Sequence, residues 1–599
     1  MRARFDDLRA DSAVAFDRPA EVLTAGRADE VPDVLAAVDA ATASGRWAYG
    51  YLAYEAAPGL DPDLVTHRPD PDGPPVARFA LSDVPPRPVP VVAPGPPPPA
   101  AWSLRTDAAT HAAAVARIHD RIAAGETYQV NLTGRVDGTV RGDPADLYPA
   151  LVHAQRGAHH ARLDLGRWVV ASASPELFVR RDGDTVTVRP MKGTAPRGRT
   201  TGEDAAAAAT LHASAKDRAE NVMIVDLLRH DVARVGDDVR VTDLCTPERY
   251  PTVWQLTSGI TATARPGTGL LATMRALFPC GSVTGAPKIA TMRLITELED
   301  SPRGVYCGAI GWVGPGSRAE FAVAIRTVVA DRATGRAVYG TGGGITWDSR
   351  ADAEWAELRA KATVLGHRPV EGLLETFAVR DGHPVRLERH LARLADSAAH
   401  LDLDDRRVRS ELATRLRGVR DARVRLVLPR SGTPSVELHP LPDAGRGPVR
   451  LAPPDACEPV DPTATWPHHK TTDRSPYEQR LAAARRAYPD ADDAILVNTA
   501  GELTETTTAT LAVRLGGTWY TPPLGGGALP GVARAELVER GELVERTLTA
   551  ADLDEATGLA VVNSLRGWRP AQTLRGAYMM TATPARQSSA PSTSNRSGR

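Results

Sequence analysis

The chain has little cysteine. Four residues in 599 (Cys245, Cys280, Cys307 and Cys457) lie scattered, with no CxxC pair and no metal-like spacing to histidine. That excludes a disulfide framework and a zinc site, and it suits a reducing compartment. An excess of charge is also missing: the formal net charge is -1, which argues against a nucleic-acid partner, since such partners draw on a basic surplus. No apolar run is long enough to span a bilayer, and none follows the first few residues. A cytoplasmic protein with no membrane segment and no leader is therefore expected. At 599 residues a single hydrophobic core is excluded as well, so two or more domains are expected.

Proline and glycine mark the joints. Residues 85–99 are too rich in proline for a central strand or helix and read as a surface connection. The stretch Gly366-His367-Arg368-Pro369 follows a helical pattern at 351–365 and precedes a strand pattern at 372–379. The expected domains are 1–367 and 368–578, with 579–599, polar and without aromatics from 581 on, a disordered tail. Helices are expected at 107–124, ended by Gly125, and at 203–228, opened by Thr201. Strands are expected at 168–171, 177–181 and 184–189, the last two joined by the turn signal Asp182-Gly183. Runs 304–313 and 320–329 read as a strand pair, and Gly342-Gly343-Gly344 as a segment between a strand and the next helix. In the second half a hairpin turn at Asp381-Gly382, a helix at 388–399 and a helix after Gly531 follow. Helices mixed with mostly antiparallel strands predict a layered α/β (α+β) fold.

Chemistry concentrates around Lys192, which Pro190 and Gly193 flank just after an alternating strand. Fixed backbone on both sides aims one side chain, and a lysine so aimed is a nucleophile when its surroundings lower its pKa. Sixteen positions earlier stands Glu176. Asp217 and Glu220 lie three apart on one predicted helix, and Glu354 and Glu357 repeat that spacing on another. Residues three apart share a face, so each pair projects two carboxylates in one direction. Taken singly, such a pair is a solvated face. Four converging carboxylates suit Mg²⁺, which takes oxygen ligands and keeps waters for its substrate. Between the pairs, the glycine-rich run 281–288 offers backbone N–H groups to an anion, and Gly342 to Gly344 admit close approach of a ligand. Neither run matches the phosphate-loop or dinucleotide patterns, so nucleotide binding is not indicated. Arg326 and Tyr306 offer a cation and a hydroxyl to a carboxylate.

Together these stretches are similar to the chorismate-utilising enzymes over residues 51–365, and within them to the aminodeoxychorismate synthase component I branch. The matching segments are Thr127-Tyr-Gln-Val-Asn-Leu132, Ser174-Pro-Glu176, Pro190-Met-Lys-Gly-Thr194, Asp217-Arg-Ala-Glu-Asn221, Asp226-Leu-Leu-Arg-His-Asp231, Gly281-Ser-Val-Thr-Gly-Ala-Pro-Lys288 and Gly342-Gly-Gly-Ile345. The resemblance implies antiparallel sheets with surrounding helices, chorismate as substrate and Mg²⁺ held by Glu220 and Glu357, with Asp217 and Glu354 beside them. It implies that Thr284, Tyr306, Arg326, the Gly342, Gly343 and Gly344 backbone and Lys361 hold the two substrate carboxylates. Glu176 falls at the general acid and Lys192 at the nucleophile. Related anthranilate synthases carry Ala in place of Lys192, and His where this chain has Gln255. No glutaminase-type nucleophile motif surrounds any cysteine, so ammonia is expected from a separate glutamine amidotransferase subunit.

The second half resembles the fold-type IV pyridoxal-phosphate enzymes, especially the aminodeoxychorismate lyases, in Leu374-Glu-Thr-Phe377, Arg389-His-Leu-Ala-Arg393, Lys470-Thr-Thr472, Gly501-Glu-Leu-Thr-Glu505 and Leu529-Pro-Gly-Val-Ala-Arg534. This implies pyridoxal 5'-phosphate on Lys470, Glu505 at the pyridine nitrogen, and Arg393 with the Gly531 and Val532 backbone at the phosphate, in a homodimer formed through this domain. Thr510 and Ala533 depart from that pattern. The combined expectation is synthesis of p-aminobenzoate from chorismate in two sites. The alternative is an anthranilate or isochorismate-type synthase whose C-terminal half is a docking module without catalysis.

Overall fold

A computed structural model describes residues 1–430, 432–443 and 447–574. The tail at 579–599 lies outside them. Two compact units divide the chain: Met1–Gly198 with Gly202–Pro369, and Val370 onward with Arg199–Thr201. Both are layered α/β structures, and among the described residues no helix is long and apolar enough to cross a membrane.

The first unit is built on two ten-stranded sheets. Alternation makes its strands: in Thr185–Arg189 the valines are buried and the threonines and arginine face outward. Side chains from both sheets meet in one apolar layer, among them Phe16, Leu163 and Val170 from one and Tyr49, Tyr51 and Ile310 from the other. Helices cover the outer faces. Val31–Ala43, Ala215–Ala233 and Leu270–Leu277 share a buried cluster with one sheet, and Leu147–Gln155 shares one with the other. The proline-rich connection contributes only Arg87–Val89, an edge strand, where proline's missing N–H is tolerated.

Three expected elements differ in ways that matter for the site. The helix read at 203–228 is two helices, Thr201–Ala213 and Ala215–Ala233. Ser214 between them leaves helical geometry and accepts a hydrogen bond from the Asp217 N–H at 3.2 Å, an N-cap that restarts the chain in a new direction. The run read as one strand at 320–329 is also two, Arg318–Val323 in one sheet and Thr327–Asp331 in the other. Arg326, at the crossover, has φ 51, a conformation that costs an arginine about 1 kcal/mol or more. Finally, Gly342 to Gly344 are not a loop. They lie in the strand Arg336–Ile345, paired residue for residue with Gln129–Val140.

The second unit has a four-stranded sheet, containing Gly372–Arg380, backed by the helix Leu387–Leu401. An eight-stranded sheet of mixed direction carries the chain from Val449 to Thr573.

Candidate active sites

The first cavity opens where the two sheets of the first unit exchange strands. One crossover is Ser174-Pro175-Glu176, between the strands Trp168–Ser174 and Leu177–Asp182; the other is Arg326. The two are pinned together, since the Val323 N–H donates to the Glu176 carbonyl (3.1 Å) and the Ala173 N–H to the Arg326 carbonyl (3.0 Å). The acid and the cation therefore enter one space of about 80 Å³. Glu176, Lys192, Lys216, Asp217, Glu220, Gln255, Ser282, Tyr306, Arg326, Gly342, Gly344, Glu354, Glu357 and Lys361 line it.

Lys192 is buried, and burial lowers its pKa against the opposing pull of Glu220. Gly344 makes room for it: a Cβ there would lie 2.6 Å from the Lys192 Nζ and 2.4 Å from the Gln129 Nε2. Glu176 is buried too, which pushes its carboxyl up to about 7 in spite of a 2.5 Å hydrogen bond donated by the Ser282 hydroxyl. Burial likewise raises Glu220 to about 7, and it raises Glu354 with help from the neighbouring Glu357. Glu357, only half-buried, is held low by Lys361, whose ammonium sits 2.7 Å away and also donates to the Gly342 carbonyl at 2.8 Å.

Not every residue expected at this cavity lines it. Thr284 is fully buried but does not line it; its hydroxyl donates to the Cys280 carbonyl at 3.0 Å. Gly343 is also off the lining, lying behind Glu354, whose Oε2 would be 3.2 Å from a Cβ at that position. Nor do four carboxylates form a cage: among the described residues no three His, Cys, Asp or Glu side chains are placed to hold a metal. Lys216 stands 3.6 Å from Glu220 and 3.4 Å from Glu354, while Asp217 is occupied by the Ser214 hydroxyl at 2.5 Å.

The donor set nonetheless fits a hard cation that takes much of its coordination from substrate and water. The Glu354 Oε2 is buried without a partner, and so are the Arg326 Nη2, the Gln255 Oε1 and both amide atoms of Gln129. Buried polar atoms are nearly always paired, so the orphans of Glu354, Arg326 and Gln255 on the lining of one cavity mark the place of a polar ligand. Gln129, Ser282 and Lys216 have no assigned role in the sequence reading. The bond from Ser282 to Glu176 joins residues 106 apart, a separation that no local pattern reports.

The second cavity, of about 330 Å³, is lined by Lys470, Glu505, Arg393, His390, Arg474, Tyr477, Thr510, Gly531, Val532, Ala533 and Arg566 among others. Burial, with Arg393 nearby, lowers Lys470 to about 8. Burial raises Glu505 to about 7 while the Tyr477 hydroxyl donates to it at 2.7 Å. Gly531 caps the helix Val532–Glu539, whose first N–H groups open on this space. The cap is tight, because a Cβ on Gly531 would lie 2.8 Å from the Thr510 hydroxyl. An amine, a carboxyl and a helix N-terminus around one cavity fit pyridoxal 5'-phosphate. Arg393 faces the cavity already engaged: Nε and Nη2 reach Glu375 at 2.8 and 2.6 Å, and Nη1 donates to the Pro530 carbonyl at 2.9 Å. Glu375 also accepts from the His390 Nδ1 at 2.6 Å. Despite its burial, Glu375 is held down to about 2 by Arg393 and His390.

Comparison with known proteins agrees with this division. Residues 87–366 match the family described as chorismate binding enzyme, and 372–574 match amino-transferase class IV. An aminodeoxychorismate synthase of Streptomyces griseus is 44% identical over 247 residues, 41% of this chain and 34% of that protein. Anthranilate synthase component 1 of Streptomyces coelicolor is 40% identical over 268 residues, 44% of this chain and 52% of that protein. The match thus spans a third to a half of the length of these relatives. Anthranilate synthase component I of Streptococcus pneumoniae shares the fold of the first unit, with a TM-score of 0.52 and 24% identity over 60% of this chain and 92% of that one. The chain joins a chorismate binding enzyme domain to a class IV amino-transferase domain.

Proposed function

We propose that the first domain aminates chorismate to 4-amino-4-deoxychorismate and that the second eliminates pyruvate from it, leaving p-aminobenzoate. The observation that carries this reading is the pairing of Lys192 with Glu176 on one small cavity, where burial favours an uncharged amine and a protonated acid. The nitrogen of Lys192 bonds to ring carbon 2 as the double bonds shift and the carbon 4 hydroxyl departs. Glu176 supplies the proton that lets that hydroxyl leave as water. Ammonia then adds at carbon 4, and the lysine nitrogen leaves with its electron pair. Arg326, with one guanidinium nitrogen buried and unpaired, is suited to a substrate carboxylate. Glu220 and Glu357 would hold Mg²⁺, with Asp217 and Glu354 beside them, and the ion when bound neutralises a ring carboxylate.

In the second domain Lys470, with its pKa near 8, is able to remove the proton from carbon 4 close to neutral pH and pass it to the departing enolpyruvyl group as the ring becomes aromatic. Glu505, steadied by Tyr477, would hold the cofactor's ring nitrogen, while the Gly531 and Val532 backbone, with Arg393 beside it, would hold its phosphate. Pyridoxal 5'-phosphate when bound supplies the electron sink for elimination. Ammonia comes from a separate glutamine amidotransferase. Similarity to anthranilate synthases makes anthranilate the competing product, but Gln255 lines the cavity where those enzymes have histidine, in keeping with an enzyme that stops at the amino intermediate.

The test is incubation with chorismate, Mg²⁺ and ammonium, with and without pyridoxal 5'-phosphate. The expected products are p-aminobenzoate with the cofactor and the amino intermediate without it. An ortho amine in the product overturns the reading. Glutamine hydrolysis by the chain alone overturns the separate ammonia source.

A further inference from the structure

The second cavity has five lysine or arginine side chains on its lining: Arg393, Lys470, Arg474, Arg534 and Arg566. Four have work already. Lys470 is the amine whose pKa is lowered, and Arg393 is held by Glu375 and the Pro530 carbonyl. Arg534 donates to the Pro522 carbonyl at 2.8 Å and pairs with Glu545 at 2.5 Å. Arg474 donates to the Thr507 carbonyl at 2.6 Å and lies over the Tyr477 ring, 4.3 Å from its centroid. The guanidinium of Arg566 differs, for among the described residues no carboxylate or carbonyl is bonded to it.

Its position is nevertheless set by the backbone. Ser564, Leu565 and Arg566 form the tip of the hairpin between Gly558–Asn563 and Gly567–Thr573, and all three line the cavity. Both ends of the tip are tied down. The Ser564 Oγ is 2.8 Å from the His390 Nε2. Burial keeps His390 neutral, with its Nδ1 proton directed to Glu375, so Nε2 is left to accept from the serine hydroxyl. At the other end the Arg566 N–H donates to the Asn563 Oδ1 at 2.9 Å, and Gly567 takes the positive φ of 68 that the turn requires. The hairpin thus presents an exposed cation at the rim, in contrast to the half-buried Lys470.

We propose that Arg566 holds the ring carboxylate of the substrate and makes the cavity specific for a carboxylate para to the reacting amine. The inference rests on the lyase reading of this cavity. An amine delivered to Lys470, which is less exposed than Arg566, directs the far side of its ring outward, and in 4-amino-4-deoxychorismate that far side carries the carboxylate. A planar guanidinium on a fixed tip pairs with it through two hydrogen bonds.

The experiment uses the full chain loaded with pyridoxal 5'-phosphate, titrated with 4-aminobenzoate and with aniline. Arg566→Ala is expected to weaken 4-aminobenzoate by about tenfold or more, to leave aniline binding as it was, and to leave the absorbance of the bound cofactor unchanged. Arg566→Lys keeps the charge and should recover part of the loss. Unchanged affinity for 4-aminobenzoate, or an equal loss for aniline, overturns the proposal. The reading beneath it is checked separately on the native chain: cofactor absorbance that survives Lys470→Ala sinks the lyase assignment, whatever Arg566 does.

Discussion

The two cavities each centre on a lysine with a lowered pKa, buried in the first and half-buried in the second, yet opposite surroundings produce that state. Around Lys192 the neighbours are mainly acidic, and Glu220 works against the burial that lowers it. Around Lys470 the nearest strong influence is a cation, Arg393, which works with burial. The first lysine therefore depends on something else to occupy its carboxylates, and the second does not. The acids differ in the same sense. Burial raises both Glu176 and Glu505 to about 7, but Glu176 accepts from a serine and Glu505 from a tyrosine whose own pKa is pushed well up. A proton donor for chemistry and a fixed partner for a ring nitrogen are thus made from one residue type.

The largest effect that sharpens this comparison is expected from Glu176→Gln, which keeps the shape and removes the transferable proton. Amination should fall by about 10²–10⁴-fold while elimination from supplied amino intermediate is untouched. A stopped assay for each half-reaction reads this, and equal losses in both would break the separation.

The next effect is a pH dependence. The Glu176 carboxyl is raised from its ordinary 4.5 to about 7, so it carries its proton below that pH and loses it above. Amination should decline on the alkaline side of about 7, roughly tenfold per unit once ionised. Ser282→Ala removes a bond that favours the carboxylate and should move the alkaline limb to higher pH; a limb that stays in place contradicts Glu176 as the acid. The same sign applies to stability. A carboxyl raised by burial contributes fully below about 4.5, and its contribution is lost as pH rises through about 7.

The smallest effect is local. Ser214→Ala should cost about 1 kcal/mol of stability through loss of the N-cap, read as a shift in denaturant midpoint. Because that cap also holds Asp217, Mg²⁺ dependence should weaken with it, whereas cofactor absorbance in the second domain should not change.

Much of the first cavity was legible because its residues cluster in short segments. Glu220 and Glu357 share faces with Asp217 and Glu354 at helical spacing, and the glycines that admit Lys192 stand together. What sequence could not report was the exchange of strands between sheets. Apolar residues flank Arg326 on both sides with no glycine or proline to mark a turn, and only its left-handed backbone reveals that 320–329 serves two sheets. The family resemblance puts Thr284 among the carboxylate contacts, whereas in the structure its hydroxyl donates to the Cys280 carbonyl and closes a turn of backbone. In the second unit, Glu375 gathers His390 and Arg393 from 15 and 18 residues away, and the Ser564 tip reaches His390 across 174. Such pairings follow from packing rather than from any local period.

Assaying Lys192→Ala, Lys470→Ala and their mixture for p-aminobenzoate, with chorismate, Mg²⁺, ammonium and pyridoxal 5'-phosphate present, tests the two-cavity account most directly. Each variant alone should make none, only Lys470→Ala should release the amino intermediate, and the mixture should restore the product. p-Aminobenzoate from either variant alone would contradict the account.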